Sequence, residues 1–98
     1  MKICFKNLEL NKLNNTLANL ENKSKTNLTQ IEVNIIGMLM KAKKNVPRSM
    51  LNFKALGYAK QVESHSLDSH IYRLRKKLIL VSKTNEILAK PPGYYQIT

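Results

Sequence analysis

The sequence is short of several things at once. Its 98 residues include one cysteine, no tryptophan, three glycines, and six acidic residues against seventeen Lys and Arg. Lone Cys4 cannot form an internal disulfide, which suits a reducing cytoplasm. No apolar run approaches the about 18 residues of a membrane span. The longest, Ile35–Met40, is broken by Gly37. The opening MKICFKNLEL alternates and carries charge, unlike a signal peptide. A soluble, cytoplasmic protein with no membrane partner is therefore expected. His65, His70 and Cys4 lack the close spacing of metal ligands, so neither a metal nor a cofactor is expected. There is no Gly-rich phosphate loop and no nucleophile elbow, and the few carboxylates are scattered, so the chain does not read as an enzyme. Repeats, linkers and low-complexity tails are absent as well.

What the chain has in excess is positive charge, a formal +11. The excess is uneven: +2 over residues 1–40 and +9 over residues 41–98, where only Glu63, Asp68 and Glu86 are acidic. With 43 % hydrophobic residues the chain can still bury a modest core, as one small domain over 1–98. Such a charge balance fits a polyanionic partner, and a solvated basic face is the plainer alternative.

Residues 2–28 show short alternating apolar stretches (Ile3/Phe5, Leu8/Leu10, then Leu13, Leu17 and Leu20) with turns at Asn14–Asn15 and Asn22–Lys23. This pattern predicts an antiparallel meander of three or four strands, although Leu-rich sequence of this kind is also compatible with helix. The segment 28-LTQIEVNIIGMLMKAKK-44 predicts a first helix. Thr29 and Glu32 make a capping box, and Leu28 and Val33 take the places of a hydrophobic staple. Ile31, Ile35, Met38 and Leu39 form its apolar face. Lys41, Lys43 and Lys44 close it where the helix dipole favours cations. Pro47 suits a helix start, so Arg48–Leu56 predict a short second helix with Leu51 and Ala55 inward and Gly57 just past its end. Ser64 or Ser66 can cap a third helix, with Asp68 in its first turn. The tail 87-ILAKPPGYYQI-97 reads as two short strands around a Pro91-Pro92-Gly93 tip. Of the adjacent Tyr94 and Tyr95 only one can face inward, and Tyr94 is the expected core residue. Met38, Met40 and Met50 are expected to fill the core.

The third helix, 70-HIYRLRKKL-78 and its flanks, poses the functional question. On a helical wheel Leu67, Ile71, Leu74 and Leu78 fall within a narrow arc, which is core. Ser69, Tyr72, Arg73 and Lys76 lie opposite. His70 and Lys77 flank one edge, Asp68 and Arg75 the other. A solvated face mixes charges of both signs, yet no acid occurs from Ser69 to Lys77. Such a helix is better explained by an anionic partner. With two helices before it, the arrangement is that of a helix-turn-helix.

These segments resemble the winged-helix effector domain of OmpR/PhoB-type response regulators. The resemblance lies in 28-LTQIE-32, in 46-VPRSML-51 running to 56-LGY-58, in 67-LDSHIYRLRKKL-78 and in 93-GY-94. It implies an α+β winged helix-turn-helix: an N-terminal sheet over about 2–28, three helices within 29–80, and a C-terminal hairpin wing over 86–98. It also implies bacterial two-component, phosphorelay-linked transcription regulation through sequence-specific binding to double-stranded DNA. The helix at about 66–79 would enter the major groove, and the wing near Lys90 would reach the minor groove. The family's other implied partners are RNA polymerase, through the loop between the second and third helices, and a second copy in tandem on direct repeats. By position the candidate DNA contacts are Ser69, His70, Tyr72, Arg73, Arg75, Lys76 and Lys77 on the helix, His65 just before it, Arg48 at the start of the second helix, and Lys90 on the wing.

The chain departs from the family pattern in several places. Leu56 stands where the family usually has Trp, His65 stands for a common basic residue, and Lys90-Pro91-Pro92-Gly93-Tyr94 replaces Arg-Gly-x-Gly-Tyr. The 57–65 loop is short, and no phosphoacceptor receiver domain precedes the effector in this chain. A reading from another class is a winged-helix protein–protein adaptor whose basic helix binds an acidic partner. RNA binding ranks third, because only Phe5 could serve as an exposed aromatic on the sheet.

Overall fold

The computed structural model describes residues 1–57 and 66–98. The N-terminal segment is an antiparallel meander in the order β1 (Lys2–Phe5), β2 (Leu8–Asn11), β3 (Thr16–Asn19) and β4 (Lys25–Asn27). Its register stacks Ile3 on Leu10 and Leu10 on Leu17, so one face of the sheet is apolar. Leu8, Leu10 and Leu17 are wholly buried, while Ile3 and Phe5 pack against them from the edge. Leu13 and Leu20 do not continue the alternation. They sit in turns, 82 % and 54 % exposed.

The helix α1 (Gln30–Ala42) starts as its cap demands. The Thr29 hydroxyl accepts from the Glu32 N–H at 3.2 Å, and the Glu32 carboxylate accepts from the Thr29 N–H at 2.8 Å. Leu28 and Val33 are both buried. The helix stops at Lys43, which adopts a left-handed conformation (φ 56°) and returns its N–H to Leu39 O. Its buried arc is wider than the expected stripe. Ile36 and Met40 turn inward with Ile35 and Leu39, whereas Ile31 and Met38 are half-buried at the margin. Burial on both sides follows from the position of α1 between the meander, α3 and the C-terminal sheet. At Gly37 a Cβ would already meet Leu10 Cδ2 at 3.4 Å, so the missing side chain lets helix and sheet approach.

After α1, Val46–Pro47 form a short strand, β5, that the sequence reading did not foresee. It pairs with the last strand, opposite Tyr95 and Tyr94. Pro47 is tolerated there because β5 is an edge strand. The second helix begins as α2 (Arg48–Met50) and widens at once into a π-helical turn over Leu51–Ala55, closed by the Leu56 N–H to Leu51 O at 3.3 Å. Leu51 and Ala55 are inward as expected, and Gly57 follows with φ 81°. Met50 is not a core filler. It is 42 % exposed, because Leu51 beside it takes the inward position on this short element.

The third helix, α3 (Ser66–Val81), runs two residues past its expected end. The chain closes with a hairpin, β6 (Ile87–Lys90) and β7 (Tyr94–Ile97), in a three-stranded sheet of order β5-β7-β6. The expectation for the two tyrosines is reversed. Tyr95 is 7 % exposed and Tyr94 36 %. Ile97 must face the core, and residues 95 and 97 share a face of the strand, so Tyr95 goes in with it. One core joins the inner face of the meander, α1, α3 and the hairpin.

Candidate nucleic-acid interface

The helix α3 presents the two faces that its wheel predicts. Leu67, Ile71, Leu74 and Leu78 are at most 1 % exposed, while Ser69, Tyr72, Arg73 and Lys76 are all exposed. His70 and Lys77 are half-buried along one edge and Arg75 along the other. The outward side chains are partly ordered by one another. The Lys76 ammonium lies 4.6 Å from the centroid of the Tyr72 ring, and the Arg73 guanidinium is 3.2 Å from His70 Nδ1. Both contacts keep cationic groups forward without neutralising them. Lys90, at the end of β6, is exposed opposite Tyr94 beside the Pro91-Pro92-Gly93 turn.

Several candidates have internal partners instead of an open face. Lys77 Nζ donates to Glu32 Oε1 at 2.7 Å. Burial works to raise the Glu32 carboxyl pKa, but the Lys77 hydrogen bond, the Thr29 N–H and the Lys77 charge together hold it below its ordinary 4.5. Arg75 donates through Nε to Ile87 O at 3.0 Å and lies over the Tyr95 ring. Arg48 grips Asp68 with both terminal nitrogens and donates to the Tyr95 hydroxyl at 2.9 Å. His65 lies outside the described residues, as do Ser64 and the loop over 58–65.

Sequence reasoning missed the residues that hold α3 from behind. Asn19 is buried at the end of β3, and its Nδ2 donates to Val81 O at 2.9 Å, capping the helix C-terminus. Asn22 reaches the same carbonyl at 3.3 Å. Asn19 Oδ1 accepts from the Glu21 N–H at 2.8 Å, so the amide also shapes the turn after β3. The signal was present as a turn-forming Asn, but nothing local says that its amide would serve a helix sixty residues away. Asp68 and Tyr95 were likewise read as a dipole partner and a strand residue. Together they join α3 to the hairpin, the Tyr95 hydroxyl donating to Asp68 Oδ1 at 3.0 Å. Burial first, and then the Asp68 hydrogen bond and charge, raise the Tyr95 pKa against the opposing pull of Arg48 and Arg75, which keeps the hydroxyl a donor.

A sequence family fits this arrangement. Residues 23–95 match the family described as transcriptional regulatory protein, C terminal. The chain belongs to that family. It is thus a DNA-binding effector domain of the bacterial response-regulator type, a class of transcription-regulator module and not an enzyme. Among curated proteins no sequence matches it. Solved structures do. The DNA-binding domain of CpxR from E. coli is 21 % identical with a TM-score of 0.79, over 99 % of this chain and 95 % of that one. The DNA-binding domain of Klebsiella pneumoniae RstA, solved with the RstA box, is 21 % identical with a TM-score of 0.77, over 99 % and 96 %. At such identities the likeness is one of fold. A member of a streptococcal family of redox sensors that evolved from two-component response regulators is 26 % identical with a TM-score of 0.78. This effector domain spans 43 % of that longer chain. Among its own described residues no helix is long and apolar enough to cross a membrane, and no three His, Cys, Asp or Glu side chains are grouped as metal ligands.

Proposed function

We propose that residues 1–98 act as one winged-helix unit that binds double-stranded DNA in a sequence-specific manner in the cytoplasm, with α3 in the major groove and the hairpin at the adjacent minor groove. The observation that carries this reading is the outward face of α3. Ser69, Tyr72, Arg73 and Lys76 are exposed together on a helix whose opposite face is locked into the core. Arg73 is the base-edge reader, because a guanidinium can bond a guanine at two positions. Ser69, His70, Tyr72 and Lys76 contact phosphate and set the register. Lys90 contributes a cation from the wing. Lys77, Arg75 and Arg48, already bonded within the domain, act mainly by holding α3 and the hairpin in place. His65 precedes α3 in sequence and is assigned to the backbone on resemblance alone.

Two copies in tandem on direct half-sites, about one helical turn apart, fit the family to which the chain belongs. The polymerase contact that the resemblance gives to the loop before α3 falls on residues 58–65, outside the described residues, and forms no part of this proposal.

The test is selection from a random duplex pool, followed by anisotropy titration of the selected duplex and of a scrambled one. A selected motif bound at least about a thousandfold more tightly than the scrambled duplex is the expected result, the lower edge of the usual span of specific over non-specific binding of about 10³–10⁷. Equal affinity for both, with tighter capture of an acidic peptide, would establish the adaptor reading instead.

A further inference from the structure

The hairpin has few backbone ties to the rest of the domain. Its only neighbouring strand among the described residues, β5, is two residues long, and Pro47 brings no N–H to it. Side chains supply the attachment. The Tyr95 hydroxyl donates to Asp68 Oδ1 at 3.0 Å and accepts from Arg48 Nη1 at 2.9 Å. Arg48 closes on both Asp68 oxygens, and its N–H donates to Gly93 O at 3.0 Å. Gly93, at φ 88°, brings the hairpin turn so near that a Cβ there would lie 3.8 Å from Arg48 Cδ. Arg75, which also lies over the Tyr95 ring, bonds Ile87 O. Helix, hairpin and the start of α2 therefore converge on one carboxylate and one hydroxyl.

Asp68 is also the sole acidic residue of α3. On a helix facing phosphates an acid is a liability, and the dipole of the first turn would favour it without Arg48 or Tyr95. We propose that Asp68 and Tyr95 are a positioning pair that fixes the angle between α3 and the hairpin, so that Arg73 and Lys90 meet one duplex at the same time. The inference rests on the duplex reading above. Neither residue touches the DNA. Both act through the placement of Lys90.

Charge and positioning predict opposite signs, which makes the pair testable. Asp68→Asn adds net positive charge and should tighten binding if only charge matters. Positioning predicts that the selected duplex is bound about tenfold more weakly, roughly the worth of one charged hydrogen bond, and that the scrambled duplex is weakened as well, because Lys90 serves both. Tyr95→Phe removes only the hydroxyl, keeps the buried ring and leaves the charge unchanged, so it gives the answer if Asp68→Asn fails to fold. In either background Lys90→Ala should cost much less than in the wild-type protein, whereas Arg73→Ala should cost the same fold. Additive losses at Lys90, or unchanged affinity for the selected duplex, overturn the proposal. Residual dipolar couplings on the DNA-free domain separate this failure from that of the duplex reading. A single alignment for α3 and the hairpin in the wild type and divergent alignments in Tyr95→Phe support the positioning pair even if no duplex is selected. One common alignment in both proteins rejects it.

Discussion

Arg73 carries more of the proposed specificity than any other side chain. It points away from the buried arc of α3, and among the described residues its side chain leans only on His70. Arg73→Ala is expected to cost about 1–3 kcal/mol on the selected duplex and less on a scrambled one, with an unchanged melting temperature. Equal losses on both duplexes, read by anisotropy, would reduce Arg73 to a phosphate contact. Glu32 is the contrasting residue: fully buried, remote from the outward face of α3, and joined to that helix through Lys77. Its pKa is lower in the folded chain than its ordinary 4.5. The unfolded state therefore binds the proton more readily, so the Glu32 contribution is complete above about pH 4.5 and is lost as the pH falls through the lowered native value. Glu32→Gln keeps a side chain that can still accept from the Thr29 N–H, so it isolates the charge. The variant should lose about 1–3 kcal/mol at pH 7, a range kept modest because Lys77 is partly solvated, and its urea midpoint should depend less steeply on pH below 4.5. A wild-type and a variant acid limb that run parallel would show that the ion pair adds nothing.

At the scale of elements, the wing is where the chain departs furthest from its family pattern. Two prolines follow Lys90 and limit the backbone of the turn. A constrained turn holds one cation over the duplex at low ordering cost, but lysine is more strongly hydrated than arginine and reads a narrow minor groove less well. Lys90→Ala should therefore weaken selected and scrambled duplexes alike and reduce the salt slope by about one. A loss confined to sites flanked by A-tracts would promote Lys90 to a shape reader. The elements themselves were largely legible, for local reasons. The capping box placed the start of α1, the spacing Leu67–Ile71–Leu74–Leu78 gave both faces of α3, and Pro91-Pro92-Gly93 located the hairpin turn. What was illegible depends on distant partners. β5 exists only because β7 pairs with it, and the π-helical turn after Met50 carries no local sequence mark. The two tyrosines are a different case. Ile97, two residues after Tyr95, fixes the parity of the strand, and attention to it would have buried Tyr95 from the sequence alone. For the site, the outward residues of α3 were readable because exposure follows from the wheel. The bonds of Arg48, Arg75 and Lys77 were not, since each reaches an element distant in sequence.

At the scale of the molecule the decisive quantity is the placement of charge. Residues 41–98 carry +9 of the total +11, and they include α3, the hairpin and the start of α2. The three ion pairs found among the described residues neutralise only Lys2, Arg48 and Lys77, and none of these belongs to the exposed set Arg73, Lys76 and Lys90. The exposed cations of the proposed duplex face, Arg73, Lys76 and Lys90, thus keep their charge free of any ion pair among the described residues. Such a surface binds by displacing condensed counterions, and each phosphate neutralised contributes about −0.9 to the slope of log K against log salt. One domain on a half-site touching about six phosphates should give a slope near −5, and two domains filling a pair of half-sites should give about twice that for the overall constant. Anisotropy between roughly 50 and 300 mM salt on single and paired half-sites, within the range where such slopes are linear, measures both values. A slope near zero on either duplex would mean that the positive face of α3 is not turned toward phosphate, and the DNA reading of that face would fail with it.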